Sequence, residues 1–343
     1  MLQKTHYYTI PIFIPEKACP FRCIYCNQYT IANKVQSPSV DEVKETIEKY
    51  LKTFPEHGVK KIGFFGGSFT GMSIEEQNQY LNIISPYIKL DQIDSITLST
   101  RPDYVTEEIL ENLKNYKIET IELGAQSLDN EVLAKSGRGH SVADVKNAAA
   151  LILQKGFKLG LQMMIGLPGD SFEKTMETAQ GIIDLGAHYT RIYPTLVIKD
   201  TPLETMYKSR KYTPFSLEQA VEWCKHLMKL FAKNNVTILR MSLHPSEGII
   251  TGKNLVAGPF HISFKELVLS ALWKDTLDEK LTGKHGEKLV IEVSSKSMNA
   301  AIGYQSSNKK YLLEKFRSVS FKINNNLIDN EFNICIADAH YSR

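Results

Sequence analysis

The stretch ACPFRCIYCNQ places three cysteines at positions 19, 23 and 26, with no fourth nearby. A structural zinc site is normally closed by four ligands, typically in two pairs. The remaining cysteines fit such a closure poorly. Cys224 lies inside a helical pattern with Val221, Trp223, Leu227 and Leu230, and Cys335 lies in the apolar run FNICIA, so both read as buried free thiols. A zinc site would need His6 or His57 as its fourth ligand. Iron–sulfur clusters take thiolate ligands at close spacing, and a cubane held by only three cysteines leaves one iron open to an exogenous ligand. Plain core cysteines are the third reading, and the spacing favours the open cluster over both.

Such a loop needs a scaffold. The chain has 343 residues, 43% of them apolar, enough for one large α/β domain and an appendage. Short β-branched runs alternate with amphipathic segments. YYTIPIFI (Tyr7 to Ile14), KIGFF (Lys61 to Phe65), SITLS (Ser95 to Ser99), IETIEL (Ile118 to Leu123), KLGLQMM (Lys158 to Met164) and HYTRIYP (His188 to Pro194) read as six buried parallel strands. Val40, Val43, Ile47 and Leu51, then Ile74, Gln77, Leu81 and Ile84, put one helix face on a core. Alternation of this kind implies right-handed βαβ crossovers in a doubly wound sheet or a full or partial barrel. Gly-rich or polar signatures follow five strands in turn: CPFRCIYC, GGSFTG, TRPD, GAQS and IGLPG. Barrel enzymes build active sites on this C-terminal rim, which favours the barrel.

Five cysteines, three of them within eight residues, fit a reducing compartment better than a disulfide framework. The N-terminal segment MLQKTHYYTIPIFIPE has no uninterrupted apolar h-region, and no apolar run is long enough to span a bilayer, so the expected location is cytoplasmic, with no membrane partner. A net charge of +3 is too mild to imply nucleic-acid binding by itself.

Three cysteines spaced C-x3-C-x2-C, with Tyr25 before the last, in the loop after the first strand of a β/α chain resemble the radical S-adenosylmethionine (SAM) superfamily. TRPDYV, GAQSLDNEVLAKSGRGHSV and RIYPTLVIKDTPLETMYKSRKY resemble the radical core of the elongator catalytic subunit family over roughly Tyr7 to Leu243. That family's acetyltransferase domain, and its long insertion between the first two cluster cysteines, have no counterpart here. NLVAGPFHISFKELVLSAL is similar to short bacterial members of the group.

The resemblance implies an α/β fold, a partial (β/α)6 barrel of the radical SAM type over residues 1–244, with a small C-terminal α+β domain over 245–343. It implies an enzyme whose 4Fe-4S cluster, on Cys19, Cys23 and Cys26, reductively cleaves SAM to a 5′-deoxyadenosyl radical. An electron donor such as flavodoxin or ferredoxin and an RNA substrate, tRNA in particular, come with it. By the same match Gly66 and Gly67 admit the methionyl amino group, and Ser68 and Ser99 stand where acidic residues are common. Gln126 faces the ribose, Arg138 the methionyl carboxylate, and Met163, Met164 and Ile165 to Pro168 the adenine; Tyr25 belongs to the same set. The attacking or proton-moving residues are not assigned. Two other functions stay open: an anaerobic tetrapyrrole enzyme like coproporphyrinogen oxidase, and a metal-stabilised RNA-binding module without catalysis.

The last hundred residues carry 13 Lys+Arg against 11 Asp+Glu, unevenly distributed. Lys296, Lys309, Lys310, Lys315, Arg317 and Lys322 face a single acid, Glu314, with Tyr304, Tyr311 and Phe316 interleaved. This pattern suits a phosphate-tracking face with stacking aromatics, and equally a solvated helix with a buried aromatic side. KLVIEVS, SVSFKI and FNICIA read as strands of the appendage.

Overall fold

The computed structural model describes residues 6–14, 23–27, 37–243 and 246–337. The first six strands form where the β-branched runs lie: β1 (Tyr7–Ile14), β2 (Val59–Gly66), β3 (Ser95–Thr100), β4 (Ile118–Gln126), β5 (Lys158–Ile165) and β6 (Tyr189–Pro194). After β6 come a two-residue strand, β7 (Val197–Ile198), then β8 (Thr237–Met241) and β9 (Leu255–Ala257). The main sheet is wholly parallel, in the order β1-β2-β3-β4-β5-β6-β8, and curls into a partial barrel. It therefore holds seven strands where the sequence pattern announces six. The seventh, TILRM, sits at the sheet edge with Thr237 and Leu239 exposed, so it lacks the continuous apolar run of a fully covered strand.

Helices cross between the strands: α1 (Val40–Leu51), α2 (Ile74–Lys89), α3 (Glu107–Leu113), α4 (Asn130–Lys135), α5 (Val142–Gln154) and α6 (Phe172–Asp184). Ser39 with Glu42, Ser73 with Glu76 and Ser141 with Asp144 form reciprocal capping boxes that fix where α1, α2 and α5 begin. Val43 and Ile47 of α1, Leu81 and Ile84 of α2, and Ile152 of α5 are buried, as are Ile10, Ile62, Ile96, Ile121 and Leu159 of the sheet. Each such side chain stabilises the fold by roughly 1.5–3 kcal/mol. The rim loops rest on this layer. Past β7 the chain adds α7 (Pro202–Lys208) and α8 (Leu217–Lys233).

The chain divides into two compact units, one of residues 1–216 with 227–260, the other of 217–226 with 261–343. The second unit contains α10 (Phe264–Leu281), which follows the single turn α9 (Glu247–Ile250), then β10 (Gly286–Val293), α11 (Met298–Ile302), α12 (Ser307–Leu312), β11 (Phe316–Ile323) and β12 (Phe332–Ala337). Its sheet runs β11-β10-β12, and Trp273, Leu277, Leu289, Ile291, Val293 and Phe316 form its core. Cys335 departs from expectation: it is exposed, because on edge strand β12 Phe332, Ile334 and Ile336 pack inward and the residues between them face out. Cys224 is buried, and burial pushes its thiol pKa well up. Among the described residues, no helix is long and apolar enough to cross a membrane.

Candidate radical site on the C-terminal rim

Cys23 is buried and Cys26 half-buried, joined by a tight turn in which Cys26 N–H donates to the Cys23 carbonyl at 3.0 Å. Cys19 lies outside the described residues. The turn is pinned from two sides, with Ile24 N–H donating to the Ser136 carbonyl at 3.1 Å and Leu203 N–H donating to the Ile24 carbonyl at 2.8 Å. Ser136 immediately precedes the GRGH run, so the cysteine loop and the Arg138 loop are held together. Arg138 is itself buried, its Nη1 3.2 Å from Cys23 Sγ and its Nη2 donating to the Gly124 carbonyl at 2.7 Å. A guanidinium beside the sulfur suits the anionic sulfur ligands of an iron–sulfur cluster, and the donor set fits one. Burial raises the Tyr25 phenol pKa well above its ordinary value, opposed by the Arg138 charge and reinforced by Cys23 and Cys26.

Gly124 is small for a visible reason. A Cβ there would come within 2.9 Å of both Arg138 Nη2 and Gln126 Nε2. Gln126 ends β4 in the left-handed region at φ 67°, which turns its side chain out of the strand's alternation and toward the same place. His140 Nε2 lies 3.2 Å from the Ala125 carbonyl, buttressing this strand end. Burial, then the Arg138 and Arg101 charges, lower its pKa to about 4, so the ring is neutral at pH 7.

The glycine pair ends β2. Gly66 takes φ 99°, and a Cβ on it would meet the Ile14 carbonyl at 2.9 Å; Gly67 N–H donates to that same carbonyl at 2.7 Å. Ser68 turns inward: its Oγ accepts from Arg101 N–H at 3.1 Å and shares a hydrogen bond with Thr100 Oγ1 at 2.9 Å, which also meets Thr70 Oγ1 at 2.6 Å. Arg101 and Asp103 of the TRPD run pair bidentately at 2.8 and 2.9 Å. At the end of β5, Met163 is fully buried and Met164 half-buried. In the loop after them Asp170 accepts from Gly166 and Ser171 N–H and from Thr175 Oγ1. Tyr212 Oη donates to the Gly166 carbonyl at 2.6 Å.

A polar network joins Ser99, already a candidate from the sequence, to three residues that the motifs do not mark. Gln162 Nε2 donates to Ser99 Oγ at 3.2 Å and to Glu122 at 3.1 Å, and the buried Glu122 pairs bidentately with Arg191, whose Nη2 lies 2.9 Å from Oε1. Arg191 also stacks over the Phe65 ring at 5.1 Å and stands in register with Arg240. Burial works against the Arg191 charge, but Glu122 outweighs it and the pKa rises. Glu122 and Arg191 are charges carried within strands of the covered sheet, and that is the signal that would have found them; Ser99 and Gln162 carry no such mark.

These features have counterparts elsewhere. The model of the radical SAM superfamily matches residues 14–182, and that of the radical SAM C-terminal domain matches 187–274. The chain belongs to the radical SAM superfamily. This radical SAM protein is an enzyme, and its cofactors are the superfamily's 4Fe-4S cluster and SAM. It is 30% identical over 231 residues to the uncharacterized protein MJ0486 of Methanocaldococcus jannaschii, covering 64% of this chain and 70% of that one. It is 33% identical over 142 residues to the tRNA uridine(34) acetyltransferase of Methanocaldococcus infernus, covering 40% of this chain but only 27% of the relative's length. The solved archaeal Elp3 of Methanocaldococcus infernus shares the fold, with a TM-score of 0.64 at 23% identity, covering 80% of this chain and 64% of that one.

Proposed function

We propose that the radical SAM protein holds its cluster on Cys19, Cys23 and Cys26 and acts on RNA, tRNA being the substrate class its relatives' names support. When bound, the cluster and SAM supply reductive cleavage of the sulfonium to methionine and a 5′-deoxyadenosyl radical. The chain's own residues bind, orient and exclude water. Arg138 carries the reading: its guanidinium, held by the Gly124 carbonyl and set against Cys23, puts a buried, fixed positive charge where the methionyl carboxylate would lie beside the cluster. Gly66 and Gly67 leave room for the amino group, Gln126 faces the ribose, and Met163, Met164 and the 165–168 loop border the adenine, with Tyr25 closing the cysteine side. The Ser68 hydroxyl, engaged with Thr100 and Arg101, acts through that loop's shape, and Ser99 acts through Gln162.

The first compact unit, residues 1–216 with 227–260, serves as the radical core and the second, 217–226 with 261–343, as the appendage that recruits RNA, with flavodoxin or ferredoxin as the electron source and the cytoplasm as the location. The test is direct. The reconstituted, reduced protein is incubated anaerobically with SAM and tRNA from a strain lacking it, and the RNA is digested and examined by mass spectrometry. A nucleoside mass that depends on SAM and on protein supports the reading. Stoichiometric 5′-deoxyadenosine with unchanged RNA, but with a consumed tetrapyrrole, would replace it.

A further inference from the structure

Six cations were candidates for an RNA-facing surface of the second unit, but the structure divides them. Lys296 pairs with Asp329 at 3.2 Å, Lys315 with Asp278 at 3.0 Å and Arg317 with Glu287 at 3.1 Å. Phe316 is buried in the unit's core, and Tyr311 is engaged by Asp278 and flanked by Lys274 and Lys315. Half of the basic strip, and two of its three aromatics, therefore serve the unit's own fold.

Tyr304, Lys309 and Lys310 behave differently. Tyr304 makes an edge-to-face pair with His261 at 5.1 Å and 89°, and both rings are only half-buried. Ile262, next to His261, is 65% exposed. Lys265, Lys309 and Lys310 form no ion pair among the described residues, and the sequence has no carboxylate between Glu247 and Glu266 or between Glu292 and Glu314. Lys265 follows His261 by four residues, and Lys309 and Lys310 follow Tyr304 by five and six, so the cations flank the ring pair along the chain.

The turn that presents Tyr304 is also rigid. Gly303 takes φ 86°, and a Cβ on it would come within 2.4 Å of Ser307 Oγ. Gln305 and Ser306 both occupy the left-handed region, at φ 51° and 62°, an unfavourable run for two consecutive non-glycine residues. The buried Asn308 amide holds this shape by donating to the carbonyls of Ser270, Ala300 and Ala301, and Tyr304 N–H donates to Ser270 Oγ. An ordinary solvated turn has no need of such bracing.

We infer that the turn at residues 303–307, with His261 beside it and Lys265, Lys309 and Lys310 around it, is a single-stranded RNA contact in which an unpaired base stacks on the His261–Tyr304 pair while the lysines meet the flanking phosphates. The inference rests on the RNA reading above and narrows it to one surface. Stacking on an aromatic tolerates any base, so this contact recruits a loop and leaves the choice of target base to the barrel.

The test uses the full chain and a fluorescent tRNA anticodon stem-loop, titrated at several salt concentrations, with thermal unfolding of each variant as a fold check. The unmutated chain binds with an affinity that falls linearly in log salt. Tyr304→Ala weakens binding by roughly tenfold and Tyr304→Phe does not, as stacking requires. Lys309→Glu with Lys310→Glu weakens binding and flattens the salt slope by about 1.4, the value for two single-strand phosphate contacts. Because these lysines form no ion pair among the described residues, the double variant keeps the test valid even if Tyr304→Ala lowers the melting temperature. If the unmutated chain binds and both variants bind alike with an unchanged slope, RNA is held elsewhere and this surface is wrong. If the unmutated chain binds no RNA, the RNA reading itself fails and the inference falls with it.

Discussion

Replacing Gly124 with Ala tests the Arg138 arrangement without touching any residue assigned to a cofactor. Gly124 lies in β4 at the register shift between Leu123 and Gln126 but outside the left-handed region, so Ala needs no positive φ there and the sheet should hold. The new methyl lies 2.9 Å from Arg138 Nη2 and 2.9 Å from Gln126 Nε2, and both must give by a few tenths of an ångström. Arg138 is only 7% exposed and has little room to swing, so the 2.7 Å bond to the Gly124 carbonyl is what breaks. The displaced guanidinium then loses its proposed hydrogen bond to the methionyl carboxylate, and a hydrogen bond between charged groups is worth about 1.5–3 kcal/mol, roughly a 10- to 150-fold loss in SAM affinity. Calorimetry on the reconstituted protein under anaerobic conditions reads this, with iron content and melting temperature as controls. SAM affinity within twofold of the parent, at equal iron loading, would show that Arg138 does not grip the cofactor.

Three further outcomes follow from the electrostatics and the thiols. His140 has its pKa lowered from 6.5 to about 4, so stability is full above pH 6.5 and falls as pH drops through that window; His140→Gln should flatten the fall by up to about 3 kcal/mol in denaturant titrations. Burial would raise Glu119, but hydrogen bonds from Lys158, Lys61 and Ser95 hold it at about 2, so its contribution is present above pH 4.5 and lost toward pH 2. Discounted for exposure, Glu119→Gln should cost about 1–2 kcal/mol at pH 7 and roughly a quarter of that at pH 2.5; an equal loss at both pH values would contradict this. In the folded apoprotein a bulky maleimide should label Cys335 within minutes and leave Cys224 untouched, and the reverse order by peptide mass spectrometry would overturn the placement of β12.

The scaffold was legible because it repeats: six strands carry β-branched runs, amphipathic segments alternate with them, and Gly-rich or polar signatures after five strands mark the rim loops. Strand β8 escaped because edge position removes the apolar run that marks a strand. Cys335 was misplaced because alternation on a strand fixes which residues share a face, and only the packed sheet decides which face is covered. The interior network of Ser99, Glu122, Gln162 and Arg191 was invisible as a group because its members come from four strands and meet only through sheet register. Arg138 was found through the SGRGH context, yet its neighbours Gly124 and Cys23, 14 and 115 residues away, needed the fold.

We propose that Cys19, Cys23 and Cys26 hold an open cluster that cleaves SAM beside Arg138. The most direct measurement is 5′-deoxyadenosine formed per chain after anaerobic reconstitution and dithionite reduction, in the parent and in Cys19→Ala, Cys23→Ala and Cys26→Ala, with iron determined on the same samples. An open cluster on these thiolates gives about four irons and SAM-dependent 5′-deoxyadenosine in the parent, and loss of both in each single variant. Bound zinc in the parent, or 5′-deoxyadenosine persisting in Cys23→Ala at full iron loading, would contradict it.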